Sequence, residues 1–380
     1  IGAQSKDKAA ALLRRQGITA EKISKKRERV SLVPGSRAGL KDLSRFTRQF
    51  AGMVSAGLAV TECLEVLGGE SENAALGRAV KQAAADIQAG SALADAFRKH
   101  PRVFDRLYCN MVASGEASGD LGGILQRLAA YQEKAHSLRQ KVAGALTYPV
   151  ILLSVSAIAT GLLLAYVVPM FADMFTQIGT GLPAPTRAVM ALSGFARRYF
   201  GWALAVIAAA VAGIRRYRRT GRGAFVLDSL LLRVPVLGNL LRKGAIAGVT
   251  QTLAALLGAG VNVLEALEIT AKTTGNKVLE RALSRTAERI QAGESMAGPM
   301  GDSGAFPGMV VHMVGVGERT GELPAMLEKV AWFYQEEVDS AVEALSSALE
   351  PLLIVVMGVI IAGILVAMYL PMFDVISAIG

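Results

Sequence analysis

Four blocks of this chain occur twice at a fixed spacing. Ser55-Ala56-Gly57-Leu58-Ala59-Val60-Thr61-Glu62 returns as Gly258-Ala259-Gly260-Val261-Asn262-Val263-Leu264-Glu265, and Ile87-Gln88-Ala89-Gly90 returns as Ile290-Gln291-Ala292-Gly293. Gly115-Glu116-Ala117-Ser118-Gly119-Asp120-Leu121 returns as Gly317-Glu318-Arg319-Thr320-Gly321-Glu322-Leu323, and Val168-Pro169-Met170-Phe171 returns as Leu370-Pro371-Met372-Phe373. The offset stays at 202 or 203 residues through all four. One unit has been duplicated, so any fold proposed for the first half must also suit the second. In each copy a polar helical segment runs into a long apolar one.

The apolar residues are concentrated. Pro149 to Val168 and Pro351 to Leu370 carry no ionisable side chain except tyrosine. Each run lies between two prolines 20 positions apart, and a helix of that length reaches about 30 Å, the hydrocarbon thickness of a bilayer. A third run, Phe200 to Ile214, is shorter, and a buried core helix is the alternative for it. The brackets Arg197-Arg198 and Arg215-Arg216, with Tyr199 and Trp202 at one edge, favour a membrane span instead. Basic residues near the helix ends set orientation. Lys134, Arg139 and Lys141 precede the first span, and Arg215, Arg216, Arg218, Arg219 and Arg222 follow the second. Both soluble copies are therefore expected on the cytoplasmic side, with the 169–199 connection and the C-terminal tail outside.

No segment shows sustained alternation of period two. Apolar residues such as Phe46, Phe50, Met53, Val54 and Leu58 recur at helical spacing, and Gly57, Gly90, Gly119, Gly260 and Gly293 punctuate helices. The expected fold is all-α: a polytopic membrane protein with two repeated cytoplasmic antiparallel helix bundles and three transmembrane helices. Its segments are a basic N-terminal segment and linker (1–38), a first bundle (39–148), a span (149–168), an outer loop (169–197), a span (198–214), a second bundle (215–350), a span (351–370) and a tail (371–380). Within the first segment, Lys8 to Gln16 reads as a short amphipathic helix, Lys22 to Arg29 as a basic run, and Pro34-Gly35-Ser36 as a linker. It holds no apolar core of a signal peptide, and because Ile1 is not methionine an earlier portion of the protein is expected.

The Gly-Glu-x-x-Gly block has a physical reading. A helix ends at Gly119 or Gly321, each suited to the left-handed conformation of a C′ position. The next helix opens on Asp120 or Glu322, where the dipole favours an acid. Glu116 and Glu318 sit in the last turn of the preceding helix, where the dipole disfavours them. Two partners are open: the unpaired amides starting the next helix, in a cross-hairpin cap, or another protein. Gly115 and Gly317 open the block. Pro149 and Pro351 mark the membrane entry, where each stalk helix should kink or break.

Charge divides the copies. Lys134, Arg139 and Lys141 in the first stalk correspond, through the repeat, to the acidic Glu336, Glu337, Asp339 and Glu343 in the second. The alternatives are a solvated acidic face or a pairing of acidic with basic stalk, within one chain or between neighbours.

The motifs of catalysis are missing from the sequence: there is no GxxxxGK[ST], HExxH, GxSxG or metal-ligand spacing. Cys63 and Cys109 are unmatched in the second copy, and His100, His136 and His312 are isolated. The spans hold essentially no ionisable residues, where a carrier would place them, and little that is polar beyond Ser154, Ser156, Thr160 and tyrosines. An enzyme and a transporter are disfavoured, as are a cofactor, a metal and a nucleic-acid partner. A membrane-anchored interaction platform remains.

These residues together resemble the PilC/GspF family, the inner-membrane platform proteins of type IV pilus and type II secretion machines. Phe104-Asp105-Arg106-Leu107-Tyr108-Cys109-Asn110, Tyr334-Gln335-Glu336-Glu337-Val338-Asp339 and Ala367-Met368-Tyr369-Leu370-Pro371-Met372-Phe373 look most like the pilus branch. Residues 8–29 resemble the end of that branch's N-terminal segment. The resemblance implies two six-helix cytoplasmic bundles, three spans, a periplasmic C-terminus and residence in the bacterial inner membrane. It implies a homo-oligomer in contact with hexameric assembly and retraction ATPases, pilin subunits and other inner-membrane pilus alignment proteins, and no hydrolysis by the chain itself. Gly57, Gly115, Glu116, Gly119, Gly260, Gly317, Glu318 and Gly321, with Pro149 and Pro351, are its structural and interaction candidates.

Overall fold

The structure, a computed structural model, describes residues 38–171, 184–234 and 237–379. The expected helix at Lys8–Gln16, the basic run at Lys22–Arg29, the Pro34-Gly35-Ser36 linker and much of the 169–197 connection lie outside the described residues. All the regular secondary structure among the described residues is helical, and they contain no strand. They divide at Asp105/Arg106 into two compact units.

The first unit holds α1 (Leu40–Ser55), α2 (Val60–Glu70), α3 (Ala74–Gln88) and α4 (Leu93–Arg98). The helical spacing of Phe46 and Phe50 puts both inward, where they stack at 5.7 Å between ring centroids. Phe97 meets Phe50 edge-on, and Phe104 lies 4.2 Å from Phe97. All four rings are buried, and each aromatic pair adds about 0.5–1.5 kcal/mol beyond its area. Asn73 begins α3 by accepting hydrogen bonds from the Ala75 and Leu76 amides, while its Nδ2 donates to Asp42 on α1. That one side chain both caps a helix and ties two together. Burial pushes the Cys63 thiol above its ordinary pKa.

The second unit begins with α5 (Arg106–Ser118) and the long α6 (Leu121–Leu162), which passes into a π-helical turn at Leu163–Val167. There follow α7 (Ala184–Arg218), α8 (Gly221–Leu231), α9 (Leu237–Gly258), α10 (Val263–Thr273), α11 (Lys277–Gln291), α12 (Ala297–Asp302), α13 (Gly308–Thr320) and α14 (Leu323–Ile379). Helix lengths repeat along the chain. α2 and α10 have 11 residues each, α3 and α11 have 15, and α5 and α13 have 13. The core of this unit forms where α9 packs along α14, around Leu240, Ile246, Leu253, Leu256, Leu327, Val330 and Val338.

Of the kink or break expected at each membrane-entry proline, the break does not occur: α6 continues through Pro149, and the 57-residue α14 continues through Pro351. Neighbouring residues keep helical geometry although each proline forfeits one hydrogen bond. In the first long helix the departure from α geometry comes instead at the π turn Leu163–Val167. The helix α7 starts at Ala184, within the 169–197 connection; Pro185 fits its first turn, where no amide donor is needed.

Past the prolines the helices reverse their character. Val150, Ile151, Leu153, Val155 and Ile158 on α6 are exposed, as are Ile354, Val355 and Val359 on α14. On α7, Trp202 is 72% exposed. Leu121–Phe171 is long and apolar enough to cross a membrane, and Leu353–Tyr369 is a shorter apolar stretch. At one end these helices meet. Leu164, Val168, Ile364 and Met368 form a buried cluster with Val189 and Met190 against it. The Ser193 hydroxyl donates to the Leu164 carbonyl and the Thr186 hydroxyl to the Ala367 carbonyl.

Candidate interaction site

Each position of the Gly-Glu-x-x-Gly block does separate work. Gly321 ends α13 at φ +76°, and Gly119 ends α5 at φ +74°. That region is costly for any residue with a Cβ. Gly317 permits close approach: a Cβ there would lie 2.8 Å from Cα of Leu323 at the head of α14. At Gly115 a Cβ would lie 3.1 Å from Cβ of Ile124 on α6. The block is a helix-hairpin device that draws its two helices together and turns the chain between them.

Glu318 has a partner. Its Oε1 accepts from the Met296 amide and its Oε2 from the Ala297 amide at 3.1 Å. Those donors open α12, the short helix before α13, whereas the expected cap was on the helix after it. The reason is directional. A side chain in the last turn of α13 leans back toward its helix N-terminus, toward α12 and away from α14. In the first turn of α14, Met326 N donates to the Glu322 carbonyl. Glu116 occupies the matching place on α5 and is exposed.

Gly260 meets the other copy's motif. The Ser114 hydroxyl, beside Gly115, donates to the Ala259 carbonyl, and Arg127 of α6 donates to the Gly258 carbonyl. Asn110 donates to Glu265 at 2.5 Å. So α5 and α6 grip the turn between α9 and α10, and Gly260 itself turns at φ +82°. Ser114 and Arg127 escaped sequence reasoning; Asn110 appeared there only within the block at 104–110, and Glu265 only as the repeat of Glu62. Gly57, in the first unit, closes α1 at φ +84°.

The acidic and basic stalks touch within one chain. Lys141 Nζ lies 2.6 Å from Asp339, and Lys134 lies 3.7 Å from Glu328. Glu337 pairs instead with Lys243 on α9, inside its own copy. The pairs from α6 to α14 are solvent-exposed and contribute at most about 1 kcal/mol each. A cavity of about 460 Å³ opens beside them, lined by Arg127, Tyr131, Lys134, Glu328, Trp332 and Gln335. Gln335 donates to Gln251, which in turn donates to the Tyr131 carbonyl, while Tyr131 and Thr252 share a hydroxyl bond. Among the described residues no three His, Cys, Asp or Glu side chains gather as a metal site.

A missed carboxylate anchors the joint after α7. Asp228 on α8 is 5% exposed. It accepts from the Lys277 amide at the head of α11 and lies 3.6 Å from Arg218, the last residue of α7.

The family model described as type II secretion system (T2SS), protein F matches the chain twice, over residues 46–169 and 249–371. A type IV pilus assembly protein PilC of Myxococcus xanthus is 42% identical over 89% of this chain and 81% of its own length. The protein of that name from Thermus thermophilus is 40% identical, covering 100% of this chain and 95% of its own. A type II secretion system protein F of Pseudomonas aeruginosa is 33% identical over 90% and 84%.

Proposed function

The chain belongs to the family of type II secretion system protein F, and from that premise we propose that it is the inner-membrane platform of a type IV pilus machine. The observation that carries the reading is the double family match, each half of which takes in a long helix whose apolar residues become exposed past its proline. Exposed apolar area on that scale is unfavourable in water, at about 25 cal/mol per Å². A bilayer removes the cost.

Three spans are proposed: the distal parts of α6 and α14, and the apolar part of α7. The packing of Leu164, Val168, Ile364 and Met368 with Val189 and Met190 supports this count. A three-span chain brings these ends to one side of the membrane. The basic residues near the opposite ends favour the cytoplasm for both soluble copies, which leaves the C-terminus in the periplasm. The helices of matched length support a reading of two repeated bundles. Assembly and retraction ATPases would then push on the bundles, and the stalks would pass that movement to pilins in the bilayer, together with neighbouring alignment proteins and further copies of the chain. The chain supplies geometry and no chemistry.

Type II secretion is the second reading, favoured by the family description itself. The pilus relatives given above are 40–42% identical and the secretion relative 33%, which supports the first. A deletion strain decides: surface pili and twitching should be lost while exoprotein secretion persists. Normal pili with failed secretion would reverse the assignment. Nucleotide hydrolysis by the purified chain would contradict a platform without enzymatic activity.

A further inference from the structure

The helix α8 has two unlike faces. Inward, Gly223, Ala224 and Asp228 are buried. Asp228 is fastened to the head of α11, and Arg281 of α11 stands over the Phe225 ring at 5.7 Å. The rotation of α8 about its axis is thereby set. The opposite stripe, Arg222, Val226 and Leu230, runs at intervals of one helical turn and is exposed; Val226 and Leu230 are 52% and 61% accessible. Val234 continues the stripe beyond the helix and is also exposed. Further arginines flank it in the chain: Arg215, Arg216, Arg218 and Arg219 before it, and Arg233 near its end.

Position says what covers this stripe. Only Arg219 and Thr220 separate the end of α7 from the start of α8. The apolar part of α7 ends at Ile214; residues 215–218 continue the helix for about 6 Å and three chain steps then reach at most about 11 Å, so α8 begins within about 17 Å of the end of that apolar part, beside the headgroup layer. An apolar stripe edged by arginines is the pattern of a helix lying in a bilayer surface, its apolar residues about 5–10 Å into the headgroup and acyl boundary. The arginine stems also suit that zone, since they bury methylenes and keep the charge at phosphate level. We propose that α8 is a membrane-surface helix whose Arg222–Val226–Leu230 face rests on anionic phospholipid. It would hold the second cytoplasmic copy at a fixed height and tilt beneath the membrane.

The inference rests on the reading that the apolar part of α7 crosses the bilayer, and the test separates the two. The full-length chain, with Cys63→Ala and Cys109→Ala, is reconstituted into phosphatidylglycerol-containing vesicles. Three single-cysteine versions carry an environment-sensitive fluorophore: Leu230→Cys on the stripe, Ala209→Cys in the apolar part of α7, and Glu294→Cys on the soluble bundle. Lipids brominated along the acyl chain should quench the probes at 209 and 230, with the probe at 230 most sensitive to shallow bromines, and leave the probe at 294 bright. Arg222→Gln should lower the docked-to-undocked ratio at 230 about fivefold, which is about 1 kcal/mol for one basic group beside anionic lipid.

Quenching at 209 without quenching at 230 overturns the proposal and leaves the span intact. Failure at both positions overturns the span, and the proposal with it. A blue-shifted but unquenched probe at 230 means that protein, such as a second copy, covers the stripe, and the lipid assignment is then wrong. Equal quenching in vesicles lacking anionic lipid, unchanged by Arg222→Gln, removes the headgroup part of the claim.

Discussion

Replacing Glu318 by alanine removes the acceptor from two backbone amides at once, those of Met296 and Ala297. Loss of an N-terminal cap costs about 0.5–2 kcal/mol, and two donors orphaned together put this case in the upper half, about 1–2 kcal/mol. Two dipole terms act in opposite senses. The carboxylate is favourable at the start of α12 and unfavourable in the last turn of α13, each by about 0.3–1 kcal/mol, so they largely cancel and the hydrogen bonds decide. At about 2–4 °C per kcal/mol for a domain of this size class, melting should fall by about 2–8 °C. Glu318→Gln keeps one carbonyl acceptor and should fall by about half as much. The assay is thermal melting of the detergent-solubilised chain together with its abundance in membranes. Amide exchange at Met296 and Ala297 should quicken in both variants. Piliation should drop only as far as the protein is depleted. If Glu318→Ala melts and accumulates like the parent while pili are lost, the glutamate reads a partner and the capping argument is wrong.

Further outcomes follow from close contacts and buried charge. Gly317→Ala forces a Cβ to 2.8 Å from backbone and should cost about 1–3 kcal/mol; Gly115→Ala, with a roomier contact, should melt higher than Gly317→Ala in parallel scans. Asp228→Ala orphans the Lys277 amide and should destabilise by about 1–3 kcal/mol, whereas an unchanged melt would mean that water replaces the carboxylate. A double-mutant cycle on Lys141 and Asp339 should give a coupling of no more than about 1 kcal/mol that fades in salt. Crosslinked oligomers lost on reversing Asp339 alone would point to a contact between neighbours instead. Burial pulls the His100 pKa below its ordinary value, against the opposing Asp86. A group more easily protonated when unfolded leaves stability intact above pH about 6.5 and erodes it as pH falls below that. Denaturant midpoints should therefore drop on mild acidification in the parent and drop less in His100→Gln.

Much of this protein is set by local order in the chain. The duplicated blocks, the apolar runs and the spacing of Phe46 and Phe50 follow from periodicity, because a helical face and a bilayer thickness are both lengths that a sequence can encode directly. Gly119 and Gly321 were readable as left-handed residues for the same reason: their cost is paid within a single residue. The family, too, was legible in the Gly-Glu-x-x-Gly blocks and the Met-Tyr-Leu-Pro-Met-Phe ending. What the sequence left open were contacts between residues far apart in the chain. Glu318 was open to a cap on the following helix or a contact with another protein, and only the backward lean of its side chain on α13 selects α12. The grip of Ser114 and Arg127 on the Gly258–Gly260 turn spans more than a hundred residues and left no periodic trace. The prolines called for a kink or a break at the membrane entry, and the helices α6 and α14 run through them unbroken, since one lost hydrogen bond is small against the flanking turns of a long helix. Asp228 drew no reading from the sequence, and only packing buries it against the head of α11. Tertiary structure decided these points because each depends on which backbone amide or carbonyl lies within about 3 Å of a side chain, a distance that sequence separation does not record.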